Sequence, residues 1–96
     1  MAQITIRIPT PLRAFTSGEQ EVEVHGNDVG SALQQLGTLH ADISPKLFND
    51  QGELRSFVNV YLGSQDQRTL QGLATPVADG DVISILPAVA GGLSGG

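Results

Sequence analysis

Two glycine pairs, Gly91-Gly92 and Gly95-Gly96, follow an apolar stretch, Val82-Ile83-Ser84-Ile85-Leu86-Pro87. A strand that ends in proline and runs into a glycine-rich tail lifts the terminal carboxylate off the folded body. Glycine has no Cβ, so such a tail enters channels too narrow for other residues. The chemistry this spacing supports is therefore chemistry at the last atom of the chain. A terminal carboxylate, with a pKa near ~3.5, is ionised and inert at neutral pH. What lies upstream of it reads as a handle for another protein to hold. The sequence holds no cysteine, no paired catalytic carboxylates and no phosphate-binding loop. It does not read as an enzyme.

Other chemistry-bearing residues are sparse. His25 and His40 lie far apart without ligand-type neighbours, and Asp79 and Asp81 flank a turn glycine, so they are read as turn-formers. No metal site and no bound cofactor are expected. Ten acids against five bases give a net charge of −5, with no basic run, which argues against nucleic acid as a partner. An acidic chain of this size is steered instead toward a basic patch on another protein. The N-terminal Met-Ala-Gln-Ile-Thr-Ile-Arg-Ile lacks the pattern of a signal peptide, and no apolar run is long enough to cross a bilayer. The expectation is a cytoplasmic protein, monomeric when free, with no membrane contact. The absence of cysteine fits a reducing compartment.

The elements that must hold the tail follow from periodicity. Ile4, Ile6 and Ile8 alternate with Thr5 and Arg7 in a first strand that Pro9 and Pro11 end. After a turn at Thr16-Ser17-Gly18, Val22 and Val24 alternate with Glu21 and Glu23 in a second strand, completing a hairpin. The period then changes: Asn27 or Asp28 caps a helix carrying Val29, Ala32, Leu33 and Leu36 on one side, and Gly37 marks its end unless Leu39 extends the pattern. Ser44-Pro45 opens a short helical turn, with serine as cap. Phe57 to Leu62 and Val82 to Leu86 read as strands, with a short edge strand near Arg68-Thr69-Leu70 and a tight turn at Asp79-Gly80. A helix after a hairpin packs across the sheet, and parallel first and last strands need the crossover that helix supplies. The fold class is α+β: a β-grasp, ubiquitin-like mixed sheet with one main helix packed across it. The domain spans residues 1–87 and a flexible glycine-rich tail spans 88–96.

Several stretches in order carry a resemblance over nearly the whole chain. They are Ile8-Pro9-Thr10-Pro11-Leu12-Arg13, Leu54-Arg55-Ser56-Phe57-Val58-Asn59-Val60-Tyr61, Gly72-Leu73-Ala74-Thr75, Asp79-Gly80-Asp81, and Ile85 through Gly92. With them the chain resembles the ubiquitin-like sulfur carriers of the MoaD/ThiS family, most nearly the CysO-like branch of cysteine synthesis. The resemblance implies a cycle. An E1-like activating enzyme of the MoeB/ThiF type uses ATP to adenylate the C-terminal glycine, and sulfur then replaces the adenylate to give a thiocarboxylate. The implied acceptor sits on a pyridoxal-phosphate-dependent cysteine synthase, and a JAMM-type metalloprotease releases the product. Sulfur carriage for molybdopterin or thiazole synthesis, conjugation to lysines as a protein modifier, and a plain β-grasp interaction module with an idle tail are the alternatives.

The sequence departs from this pattern after Gly92, where the family register ends. Leu93-Ser94-Gly95-Gly96 add about 13 Å of extended reach. The working glycine is Gly96, used directly, or Gly92 after trimming, with Gly91, Gly92 and Gly95 threading the partner's channel. For docking, the apolar residues Phe57, Tyr61, Ile83, Ile85, Pro87 and Val89 are the expected contact set, on an open sheet face or just beyond it. The competing reading has the polar segment Gln65–Val77 covering that face. Arg13, Arg55 and Arg68 are candidate rim charges that the sequence does not place in space.

Overall fold

The first strand, β1 (Ala2–Arg7), buries Ile4 and Ile6 and turns Thr5 and Arg7 to the other side, as alternation requires. A computed structural model describes residues 1–56 and 58–87 of the chain. Pro9 ends β1, and Thr10–Thr16 wind into a 3-10 segment with Pro11 in its first turn, an element the sequence pattern did not suggest. The chain leaves it through Ser17 and Gly18 in left-handed conformations, φ 56° and 82°, and returns as β2 (Glu21–Gly26). The two strands pair antiparallel with Ile4 opposite Val24 and Ile6 opposite Val22, so one face is apolar throughout.

Helix α1 (Val29–Leu39) covers that face. Asp28 is its cap, in a reciprocal box: Ser31 N–H donates to Asp28 Oδ1 at 2.7 Å, and Asp28 N–H donates to Ser31 Oγ at 3.1 Å. The buried stripe Val29, Ala32, Leu33 and Leu36 is the one helical spacing indicates. The helix does not stop at Gly37 but runs to Leu39, closed by His40 N–H donating to Leu36 O. Gly37 is a packing residue: a Cβ there would lie 3.2 Å from the Ser44 Cβ and Oγ. A 3-10 turn, Ala41–Ile43, leads into α2 (Ser44–Leu47), which anchors Ile43 and Leu47 in the core. Ser44 is the first helical residue of α2, not its cap, because the preceding turn already sets the helical direction.

Three further strands complete the sheet: β3 (Val58–Leu62), β4 (Gln65–Asp66) and β5 (Val82–Pro87). The order is β2-β1-β5-β3-β4, with β5 parallel to β1 and antiparallel to β3. This is the β-grasp arrangement, with the last strand central. The short edge strand lies at Gln65–Asp66 instead of Arg68–Leu70, because Asp66 Oδ1 accepts from Arg68 N–H at 2.9 Å and folds Gln67–Thr69 into a 3-10 turn. The Asp79-Gly80 turn forms, with Gly80 at φ 87° and Asp79 Oδ1 accepting from Gln3 N–H at 2.8 Å. Among the described residues, no helix is long and apolar enough to cross a membrane.

Register decides which face each β5 residue takes. Ile85 pairs with Val60 and Ile83 with Leu62, and both isoleucines face the core, 0% and 1% exposed for Ile83 and Ile85 respectively. Their side chains belong to the core, where each contributes roughly 1.5–3 kcal/mol of burial to the fold. The open face carries Val82, Ser84 and Leu86 of β5 with Asn59 and Tyr61 of β3. Nor does the 65–77 segment cover it as a whole. Its later half packs against the start of α1, where Val29 N–H donates to Thr75 O at 2.9 Å and Leu73 sits against Gly30.

Candidate functional site

The end of β5 delivers the chain to the edge of the fold with one large apolar side chain in solvent. Leu86 is 48% exposed, the residue before Pro87, where the described part of the tail root ends. Because β5 runs parallel to β1, with Arg7 opposite Ser84, this root stands beside Arg7, Ile8 and Pro9. Together with Arg13, Ser84, Ile85 and Leu86 they line a cleft of about 220 Å³. Arg13 is held in place by Nε donating to Ile8 O at 3.0 Å. Arg7 makes a loose ion pair with Glu21 at 3.4 Å, both side chains exposed, an arrangement that leaves it free to exchange partners.

A third guanidinium approaches from the other flank. Asn59, across from Leu86 in the β3–β5 register, accepts from Arg68 Nη2 at 2.9 Å. The same nitrogen donates to Asp66 Oδ2 at 2.8 Å, and Nε donates to Asp66 Oδ1 at 3.2 Å. The fork grips one carboxylate in two places and leaves Nη1 without a partner among the described residues. Arg68's hydrogen bonds hold the Asp66 carboxyl below the usual carboxylate range, and Asp66 raises Arg68 in turn. Three of the chain's five basic residues thus ring Leu86, in a chain whose net charge is −5.

Of the expected contact residues, the structure places Tyr61 half-buried on the open face, opposite Ser84 and Asp66. Pro87 pairs with Val58 through the backbone. Phe57, Val89, Gly91, Gly92, Gly95 and Gly96 lie outside the described residues. Ile83 and Ile85 belong to the core, as above. Of the candidate rim charges, Arg13 and Arg68 reach the face, whereas Arg55 turns to α2 and donates to Pro45 O at 2.7 Å. Arg7, Asn59 and Leu86 were not singled out from the sequence. The position of Leu86, last before the terminal proline of the strand, was the available signal. Asp81 acts within its turn, Oδ2 accepting from Ala78 N–H at 2.9 Å, and Asp79 ties that turn to β1 through Gln3 N–H. Among the described residues no group of three or more His, Cys, Asp or Glu is placed to hold a metal ion.

The ThiS family model matches residues 6–92. The sulfur carrier protein CysO of Mycobacterium tuberculosis is 43% identical over 91 residues, covering 93% of this chain and 98% of that protein. Small archaeal modifier protein 3 of Haloferax volcanii is 38% identical over 64 residues, covering 67% of this chain and 68% of it. A chain in the crystal structure of the Amycolatopsis orientalis BexX/CysO complex superposes with a TM-score of 0.85 at 39% identity, covering 97% of this chain and 99% of that one.

Proposed function

Because the chain belongs to the ThiS family, we propose that it carries sulfur on the carboxyl end of its glycine tail and docks on its activating enzyme through the open face around Leu86. The observation that carries the docking reading is the collar itself: one exposed leucine at the tail root, flanked by Arg7 and Arg13 on one side and the clamped Arg68 on the other. An apolar anchor ringed by oriented guanidinium groups fits a partner surface with an apolar pocket and a carboxylate rim. The notion of a basic partner, drawn from net charge alone, gives way at this face to an acidic one.

The proposed chemistry follows from the inertness of a carboxylate. The activating enzyme transfers AMP from ATP to the terminal glycine, releasing pyrophosphate, and a sulfur donor displaces AMP to leave a thiocarboxylate. That group is a soft, ionised nucleophile by the logic that makes thiolate the reactive form of a thiol. It then attacks an activated serine-type amino acid on a pyridoxal-phosphate-dependent synthase, and a JAMM-type protease frees the product. The likeness to a sulfur carrier named CysO supports this branch. The working residue is Gly96, or Gly92 once residues 93–96 are removed. The family match ends at Gly92, which supports the trimmed form.

ATP–pyrophosphate exchange with the cognate activating enzyme tests the reading, run on the full chain and on a chain ending at Gly92. Exchange with either supports carriage. Exchange confined to the shorter form assigns Gly92, and exchange with neither rejects the proposal. A second reading, covalent attachment to other proteins, draws on the likeness to a small archaeal modifier protein. It requires higher-mass covalent forms of the chain in lysates.

A further inference from the structure

The chain contains one lysine, Lys46; its other four basic residues are arginines. We propose that Lys46 is the side-chain amine that takes up the activated terminal glycine of this same protein, so that self-conjugation yields a single linkage type. The inference rests on the adenylated terminus proposed above.

Two placements support it. Lys46 is exposed on α2, and its ammonium lies 5.2 Å from the centroid of the Phe15 ring. Phe15 belongs to the Thr10–Thr16 segment, which also supplies Arg13 to the cleft beside Leu86. The amine therefore stands at the end of the fold from which the tail departs. A cation–π contact at an exposed site is worth only about 0.5–1 kcal/mol, enough to orient the side chain and too little to withhold it. Among the described residues Lys46 makes no ion pair.

The competing amine is placed differently. The N-terminal amine of Met1 precedes β1, whose six residues run about 20 Å toward the tail root, so it lies at the opposite end of the sheet. Guanidinium groups stay protonated and do not compete as nucleophiles. The nine residues after Pro87 reach at most about 30 Å when extended.

The step balances without an oxidant or a reductant. The neutral Nζ attacks the glycyl carbonyl carbon of the acyl-adenylate, a C–N bond forms, and the C–O bond to AMP breaks. AMP departs with the electron pair, and the ammonium proton goes to solvent. The product is lighter than its free components by one water.

The test uses the full chain with its activating enzyme and magnesium ATP, without a sulfur donor, followed by pyrophosphate exchange and by mass spectrometry of tryptic peptides. The expected result is a branched peptide joining residues 69–96, or 69–92 for the trimmed tail, to Lys46. In Lys46→Arg, conjugate should fall at least tenfold with exchange unchanged, since arginine keeps the contact with Phe15. Exchange without conjugate, or conjugate linked at Met1, overturns the inference and leaves the carrier reading intact. Absence of exchange overturns both.

Discussion

Arg68 and Asp66, two residues apart, form a two-point ion pair, Nη2 to Oδ2 at 2.8 Å and Nε to Oδ1 at 3.2 Å, that aims the guanidinium across the open sheet at Asn59. Neither residue does chemistry. Their effect is to fix a cation beside Leu86 before any partner arrives, which lowers the ordering cost of binding.

Removing the clamp should therefore weaken docking without unfolding the chain. Asp66→Asn is expected to raise the Kd for the activating enzyme about tenfold at low salt and less at high salt, measured by calorimetry at two ionic strengths. An unchanged Kd would mean that Arg68 takes no part.

The same pair sets a pH dependence. Asp66 is held below its ordinary value by Arg68, so its contribution to stability is present above the unfolded carboxylate pKa of about 3.9. It is lost as pH falls through the lower folded value. An NMR titration of the Asp66 carboxyl should place its midpoint below that of an exposed aspartate, and in Arg68→Ala the midpoint should return to the ordinary range.

Leu86 and Ile85 are neighbours with opposite duties. Leu86→Ala should change stability by less than about 0.5 kcal/mol and weaken docking by about 1–2 kcal/mol, roughly five- to thirtyfold in Kd. Ile85→Ala should cost about 2–5 kcal/mol of stability through the cavity left in the core. Urea denaturation and binding, run on both variants, separate the two roles. The reverse pattern would place the docking surface on the wrong side of the sheet.

The periodic elements were legible from sequence: Ile4, Ile6, Val22 and Val24 alternate at period two, and Val29, Ala32, Leu33 and Leu36 follow the helical period. The facing of β5 was not, because Val82 and Leu86 are as apolar as Ile83 and Ile85, and alternation alone does not say which set meets the helix. Gly37 misled for a related reason. Its missing side chain serves the close approach to Ser44, a tertiary contact that no local rule registers. Arg68 joined the site only through the turn at Asp66 and the register of β3, both set by folding.

The cap of α1 offers a check on the element that holds the core together. Asp28→Ala removes one half of the reciprocal box with Ser31 and should cost about 1 kcal/mol, read as a lowered thermal midpoint with docking to the activating enzyme retained.

The most direct test of the central claim compares the free chain with one whose terminal carboxyl is converted to an amide. Both are assayed for ATP–pyrophosphate exchange with the cognate activating enzyme, in the full-length and Gly92-terminated forms. The account predicts that the amides fold and dock normally and support no exchange, while at least one free form does. Equal exchange from an amide and its free counterpart would contradict it.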